Sequence, residues 1–240
     1  MATHYCAHAD ISAFLQVSNF TGDTTPQSDA VEAFINMAEE RIDQLTDHAW
    51  HTSRAKAVTE ERGRIQRVTT NSVNDRGRIQ LRHYPILDMD NGTDKLHIWD
   101  GGNYVEYIAG KTGDDTITNI TGKDYWIDKE RGTIYLNSYN QFNLLSDAPS
   151  GVTAYVTYRY ATASTPDDIK QATIYFAASM LAMNDDLNLM QEGDDSMDNA
   201  TKSQRYEEMA MKILKDGRRL GRSMPTARAI GGFGARGVLP

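Results

Sequence analysis

Two short stretches carry residue types that bind phosphate or calcium in other proteins. "AGKTGDD" at residues 109–115 contains the Gly-Lys-Thr that ends a phosphate-binding loop, but Val105 occupies the position of the leading glycine. "DMDNGTD" at residues 88–94 alternates acids as a calcium loop does, yet glycine stands at its fifth position and no glutamate at its twelfth. We therefore expect a hairpin loop at the first stretch and a surface turn on Asn91-Gly92 at the second.

Patterns for catalysis or metal binding are otherwise weak. The histidines include two close pairs, His4 with His8 and His48 with His51, but neither pair has a carboxylate or cysteine at metal-ligand spacing. Cys6 is the single cysteine, which excludes an internal disulfide and a cysteine-based zinc site. The chain has no Gly-x-Ser-x-Gly elbow. We predict that the protein is not an enzyme and has neither a cofactor nor a metal site.

Charge is unevenly distributed along the chain. The 240 residues have a formal net charge of -8, but residues 218–240 contain five arginines and no acid, so residues 1–216 carry -13. An acidic body repels phosphate, which argues against nucleic-acid binding there. No apolar run approaches the ~20 residues of a membrane span, and residues 1–10 lack a signal-peptide pattern. We expect a protein made in the cytoplasm, with no membrane partner.

Both ends of the chain have helical periodicity. "TTPQSDAVEAFINMAEERIDQLTDHAW" predicts a helix capped by Thr25, and "STPDDIKQATIYFAASMLAMNDD" predicts one capped by Thr165, each with proline at its first position. Shorter helices are predicted from Asp10 and in "ATKSQRYEEMAMKILKDG". The expected core residues are Phe34, Ile35, Ile42, Leu45, Trp50, Ile169, Phe176, Met180 and Ile213. The opposite side of the first long helix predicts an acidic outer face of Glu32, Glu39, Glu40, Asp43 and Asp47.

Between the helices the periodicity changes to two. "RGRIQLRHYPIL", "DKLHIWDGGNYVEYI", "KDYWIDKERGTIYLN" and "GVTAYVTYRYA" are rich in β-branched and aromatic residues, which predicts strands. Gly101-Gly102 and Glu130-Arg131-Gly132 are expected to turn two hairpins. Five aromatic residues in this region could line a sugar-binding face or fill the core of a small sheet: Trp99, Tyr104, Tyr107, Tyr125 and Trp126.

No predicted helix can bury its apolar stripe alone, so we expect the helices from both ends to pack together. The predicted fold class is α+β: a small helical bundle with an inserted antiparallel β-rich domain and an extended C-terminal arm. The predicted parts are residues 1–52 and 164–217 for the bundle, 53–163 for the insertion and 218–240 for the arm.

The order of these features resembles the head-tail connector, or adaptor, proteins of tailed double-stranded DNA viruses. The family has an early "A-D-h-x-x-F-L" helix, an "A-x-x-x-I-D-x-x-x-x-x-x-W" helix end and a late "P-x-x-I-K-x-A" helix. The β-rich insertion is longer here than in compact members. The matching residues are Ala9, Asp10, Phe14, Leu15, Ala38, Ile42, Asp43, Trp50, Pro166, Ile169, Lys170 and Ala172.

The resemblance implies a structural protein of the virion neck, between capsid and tail, assembled in the host cytoplasm. Its subunits would form a homo-oligomeric ring, typically twelve-fold, under the portal protein, and offer a platform for a tail or stopper protein. DNA would pass through the ring without sequence-specific binding, because acidic walls repel its phosphates. A carbohydrate- or ligand-binding function of the β-rich insertion is the alternative.

The resemblance also implies that the C-terminal arm grips the portal. Fully extended, this arm would reach about 80 Å, and its arginines could pair with carboxylates of the portal. A solvated disordered end and a DNA-binding arm are the alternatives. The expected docking residues are Arg218, Arg219, Arg222, Arg228 and Arg236.

Overall fold

The computed structural model describes residues 2–68, 76–114, 122–137, 151–183, 199–217 and 219–220. Its fold is α+β, as predicted from the sequence. The α-helices in these ranges are α1 (His8–Leu15), α2 (Ser28–Thr46), α3 (Tyr107–Gly110), α4 (Asp167–Ala182) and α5 (Asn199–Asp216). A short 3-10 helix, Thr52–Arg54, follows α2. None of the described helices is long and apolar enough to cross a membrane.

Helices from both ends of the chain share one hydrophobic cluster. α4 packs against α1, α2 and α5, and all four helices contribute buried residues to the cluster. Five of the nine residues expected in the core are buried: Ile35, Ile42, Trp50, Ile169 and Phe176. Three pack against the cluster while partly exposed: Phe34, Leu45 and Ile213. Met180 is half-buried.

The sequence-based starts of the two long helices are wrong by one or two residues. α2 begins at Ser28, whose N–H is held by the carbonyl of Thr21 in the preceding turn at 2.9 Å. Neither Thr25 nor Thr165 caps its helix. The hydroxyl of Thr165 instead donates to the carbonyl of His4 at 3.3 Å. The side chain that the sequence pattern predicted as a helix cap is therefore bonded to the N-terminal segment.

The strands form two sheets. They are β1 (Lys56–Gly63), β2 (Gln66–Val68), β3 (Arg76–Gln80), β4 (Lys95–Trp99), β5 (Tyr104–Glu106), β6 (Gly113–Asp114), β7 (Tyr125–Asp128), β8 (Thr133–Leu136) and β9 (Ala154–Tyr160). The four-stranded sheet has the order β1-β9-β4-β5, and the five-stranded sheet has the order β2-β3-β8-β7-β6. The pairings are antiparallel except β6 with β7, which is parallel.

The chain passes between the two sheets through short links. Residues 64–65 join β1 to β2, and residues 107–112 join β5 to β6. Because these links are short, β1 and β2 lie on one side of the β-rich region and β5 and β6 on the opposite side. Each of these four strands is an edge strand of its sheet.

Buried side chains from both sheets form a second hydrophobic cluster. β9 shows the alternation that this requires, since Ala154, Val156, Tyr158 and Tyr160 are buried and the residues between them are half-buried. Two-sided packing of this kind is typical of a β-sandwich. The β-rich region therefore has a core of its own, and the four-part division of the chain stays a prediction.

Both expected hairpin turns lie where the sequence places them. Residues 100–103 join β4 to β5, and residues 129–132 join β7 to β8. Gly132 has a φ of +58, and a Cβ at this position would lie 2.8 Å from the Cβ of Tyr84. The second turn therefore requires glycine on two counts, conformation and space.

Candidate functional site

The segments that carry the family resemblance contact one another. The ammonium of Lys170 on α4 lies 2.8 Å from the carboxylate of Asp10 on α1. Asp10 also accepts the N–H of Ala7 at 2.9 Å, at the start of its own helix. Partial burial raises the pKa of Asp10, but the hydrogen bonds from Lys170 and Ala7 outweigh burial, and the pKa lies below its usual value. A charged Asp10 thus links the early motif to the late one.

The middle motif is joined to the N-terminus by Tyr5. The hydroxyl of Tyr5 donates a short hydrogen bond to Asp43 and accepts the N–H of Trp50 at 2.8 Å. The indole N–H of Trp50 donates to the hydroxyl of Thr46 at 2.9 Å. Tyr5 therefore fixes the end of α2 and the residues that follow it against the N-terminal segment.

Two acids that we expected on the outer face of α2 are buried, so that part of the prediction is wrong. Glu39 is fully buried, and 5% of Asp43 is exposed. The guanidinium of Arg54 lies 3.2 Å from Glu39 and 2.9 Å from Asp43. Glu39 also accepts the N–H groups of His4 and Tyr5, at 2.6 and 2.7 Å. The chain segments before α1 and after α2 cover this side of the helix, and one arginine forms ion pairs with both carboxylates.

Burial controls the ionisation of this network. Burial, followed by the charge of Asp43, raises the pKa of the Tyr5 hydroxyl, so Tyr5 remains a donor at neutral pH. Burial also raises the pKa of Asp43, although hydrogen bonds from Tyr5 and Arg54 act against it. Burial lowers the pKa of Arg54, but its hydrogen bond with Asp43 and the nearby charges give a net rise. The polar groups are paired and enclosed, which suits a structural lock.

The histidine pairs expected from the sequence are rearranged. The ring of His4 stacks on that of His51, with centroids 5.3 Å apart. The Nε2 atom of His48 lies 2.9 Å from the hydroxyl of Thr162. Within the described ranges, no group of three or more His, Cys, Asp or Glu side chains is arranged to hold a metal ion.

The base of the C-terminal arm packs back onto the helical cluster. Arg219 Nε lies 2.8 Å from the carboxylate of Asp168 in the first turn of α4, and its guanidinium lies over the ring of Trp50 at 4.7 Å. The N–H of Arg219 donates to the carbonyl of Leu214 at 2.8 Å, and Leu220 packs against the hydrophobic cluster. We call residues 217–220 the arm base.

Arg219 is therefore used inside the subunit, although the sequence grouped it with the docking arginines. The other four expected docking residues lie outside the described residues: Arg218, Arg222, Arg228 and Arg236. Gly217 fits the arm base because a Cβ there would lie 2.9 Å from the Asp168 carboxylate. The end of the described chain, at Arg219 and Leu220, is thus held by contacts to α4, Trp50 and the helical cluster.

We expect Arg219→Ala to lower the free energy of unfolding by about 1 kcal/mol, because a partly exposed ion pair and a cation–π contact are lost. The Arg219→Ala, Asp168→Ala double-mutant cycle, measured by urea denaturation, should give a coupling energy of about 0.5 kcal/mol or more. Effects that add without coupling would contradict the contact. Arg131→Ala, whose side chain is 79% exposed, is the matched control and should change stability little.

The β-rich region offers little of the predicted sugar-binding face. Tyr107, Tyr125 and Trp126 are buried, while Trp99 and Tyr104 are half-buried and in contact with each other. The buried rings of Tyr107, Tyr125 and Trp126 therefore lie in the core of the β-rich region, which is the second of the two roles that the sequence allowed.

The two loop predictions have different outcomes. Residues 109–114 link α3 to the parallel strand β6, so the predicted hairpin loop there is wrong. The turn at Asn91-Gly92 is present and is held by Asp90, which accepts the N–H of Gly92 on its side chain and that of Thr93 on its carbonyl. The second stretch, residues 88–94, therefore contains a turn that is closed by hydrogen bonds to Asp90.

Sequence reasoning missed three residues that organise this site. Tyr5 and Arg54 lie in segments without periodicity, and Asp168 lies in the first turn of a helix, where periodicity indicates no tertiary partner. Only Arg54 could have been identified from the sequence, because it is a cation that closely follows a helix whose acidic residues lie on several of its sides. No periodic rule connects residue 5 with residue 43, because that contact depends on the tertiary fold.

No protein-family model matches the chain, and no curated protein matches it. Among solved structures, a chain from the neck of an empty GTA particle, computed with C6 symmetry, is similar to this one. The sequences are 14% identical, the match covers 86% of this chain and 92% of that chain, and the TM-score is 0.42. A similarity at this level does not by itself assign a function.

Proposed function

We propose that this protein is a structural component of a virion, a head-tail adaptor that forms a ring beneath the portal at the neck. The ring extends the DNA channel and provides the platform on which a tail or stopper protein assembles. Twelve copies form the ring. The protein acts by assembly and not by catalysis, and DNA passes through without sequence-specific contacts.

The observation that carries this proposal is the convergence of the three motif segments. Asp10 pairs with Lys170, Ile42 and Ile169 share the hydrophobic cluster, and Asp43 is held by Tyr5. The residues that match the motifs of the adaptor family are thus the residues that join the N-terminal helices to α4. This supports a common helical core and not a chance match of separate patterns.

Fewer acidic residues of α2 are available to line the proposed channel than the sequence suggested. Glu39 and Asp43 are buried and cannot face DNA. Glu40 and Asp47 are exposed and Glu32 is half-buried, so these three remain for an outer acidic face of α2. Repulsion of phosphate by such a face is consistent with DNA sliding past it.

We expect the arm beyond Leu220 to dock on the portal. Deleting residues 221–240 keeps Arg219 and Leu220 in place, so the subunit should retain its stability while losing most of its affinity for the portal. The measurement is binding of the purified portal by biolayer interferometry, with circular dichroism as the control for folding.

A second variant separates charge from length. Replacing Arg222, Arg228 and Arg236 by glutamine keeps the arm but removes three of its charges, and it should weaken docking to a similar extent. Portal binding by the truncated chain at the level of the full chain would reject the role of the arm. Tight binding of the arm to short duplex DNA, with none to the portal, would favour the DNA-binding alternative.

A further inference from the structure

Four neighbouring arginines lack a carboxylate partner. Arg62, Arg64 and Arg82 are exposed and Arg78 is half-buried, and within the described ranges none of them forms an ion pair. The chain has 33 acids, and other described arginines do pair with them. Those paired residues are Arg41, Arg54, Arg131, Arg159 and Arg219. Arg64 donates to the carbonyl of Gly151 at 3.0 Å and Arg78 to the side chain of Gln66, but neither acceptor carries a charge. The four arginines therefore leave an uncompensated positive charge on an acidic subunit.

These arginines lie on neighbouring segments at one side of the β-rich region. β2 pairs antiparallel with β3, with Gln66 opposite Arg78, and a Cβ on Gly63 would lie 3.1 Å from the side chain of Ile79. Arg78 donates to the side chain of Gln66 at 2.9 Å at one end, and the N–H of Arg82 donates to the carboxylate of Glu61 at 2.9 Å at the other. We call Arg62, Arg64, Arg78 and Arg82 the arginine strip.

The charge of this edge is strongly positive. Residues 62–68 and 76–82 contain six arginines and no acid. Of the two neighbouring acids, Glu61 is held by the hydroxyl of Tyr158 at 2.6 Å, and Glu60 is exposed.

The opposite edge, formed by β5 and β6, carries unpaired carboxylates. Asp100 is exposed and accepts the N–H groups of Asn103 and Gly102, both at 2.9 Å, which hold its pKa below the usual value. Asp124 is exposed and accepts the N–H of Thr112 at 2.9 Å. Neither carboxylate pairs with a cation within the described ranges. Both carboxylates are therefore available to a neighbouring molecule.

The lysines of the acidic edge are engaged within the subunit. Lys111 lies near the ring of Tyr107, at 5.9 Å from its centroid, and Lys123 donates to the carbonyl of Gly113 at 3.4 Å. The edge thus presents carboxylates outward while its nearest cations contact their own chain. Basic and acidic surfaces lie on opposite sides of one β-rich region, at strands that are the outermost of their sheets among the described residues.

A ring requires two different complementary surfaces on each subunit, because every copy uses one surface toward the preceding copy and another toward the next. Opposite edges of opposite charge meet this requirement. Duplex DNA fits the strip less well, because the rest of the subunit is acidic and would oppose its approach. Carboxylates of a second copy can instead form bidentate contacts with the guanidinium groups.

We infer that the arginine strip of one subunit contacts the β5–β6 edge of the next, so that the β-rich regions form the contact between neighbouring copies. This inference rests on the proposed ring. It assigns the β-rich insertion to assembly, names both halves of the interface, and supplies carboxylates to arginines that form no ion pair within the described residues.

Charge exchange tests the inference directly. One variant carries Arg62→Glu with Arg64→Glu, and the other carries Asp100→Lys with Asp124→Lys. Sedimentation velocity over rising protein concentration should show that the wild type assembles and that neither variant does. An equimolar mixture should recover assembly, because each altered edge then faces an oppositely charged neighbour. Lys215→Glu, which reverses an exposed charge on α5, should assemble as the wild type does.

The possible outcomes separate the two proposals. A wild-type chain that stays monomeric contradicts the ring itself. If the wild type and both variants assemble equally, the ring stands and the interface is wrong. Asp124→Lys alone changes the acidic edge and leaves the turn at Asp100 intact. If this variant assembles when it is mixed with the strip variant, both chains are folded, and the failure of each to assemble alone is not a failure to fold. Loss of duplex DNA binding in the strip variant, with normal assembly, would assign the strip to nucleic acid and overturn the inference.

Discussion

Arg54→Met is expected to lower the free energy of unfolding by about 3–5 kcal/mol, because it leaves two buried carboxylates without their cation. Glu39 is fully enclosed, and Arg54 is itself largely buried, so water cannot replace the lost guanidinium. Methionine keeps much of the side-chain volume, which separates the electrostatic effect from a packing defect. Urea denaturation followed by far-UV circular dichroism measures the change.

Two control variants make this result specific. Arg131→Met removes an exposed arginine whose distance to Asp128 is 3.8 Å, and it should cost less than about 1 kcal/mol. Adding Glu39→Gln and Asp43→Asn to Arg54→Met removes the uncompensated charges and should recover part of the stability. A loss for Arg54→Met no larger than for Arg131→Met would show that the network does not act as a lock.

Phe176→Ala is expected to destabilise the protein by about 3–5 kcal/mol, because a fully buried ring is removed from the helical cluster. Its ring also lies under the guanidinium of Arg41, at 4.7 Å from the centroid, so the variant loses a cation–π contact as well. Thermal and urea unfolding both measure the effect.

The matched control for Phe176→Ala is Met183→Ala, just beyond the end of the same helix. Met183 is 63% exposed, and its truncation should change stability by less than about 0.5 kcal/mol. Equal losses for the two variants would mean that the shared core of α2, α4 and α5 is not the source of stability.

Local periodicity predicted α1, α2, α4, α5 and most strands, because each follows from neighbouring residues, but α3 lies partly in a stretch predicted as strand. The stripe of α4 contains Ile169 and Phe176 at a helical spacing, and β9 alternates along its whole length. The helix starts were less predictable, since Thr165 had a competing partner in the N-terminal segment. The parallel pairing of β6 with β7 joins strands separated by residues 115–124 and was not visible from sequence.

The organisation of the site was harder to predict than the elements that build it. Asp43 occupies the polar side of an amphipathic helix, and nothing in the local pattern shows that Tyr5 and Arg54 cover that side. Arg219 belonged by composition to a basic tail, yet its nearest partners are Asp168 and Trp50. In each case the deciding contact spans more than ten residues of chain, which periodicity does not capture.

The central claim is that this chain forms a closed ring, and native mass spectrometry of the purified wild-type protein tests it most directly. The proposal predicts one dominant species with the mass of twelve chains, formed without intermediates of open-ended length, since each interface closes by rotation. A monomer or an isologous dimer at every concentration, or a continuous series of masses, would contradict it.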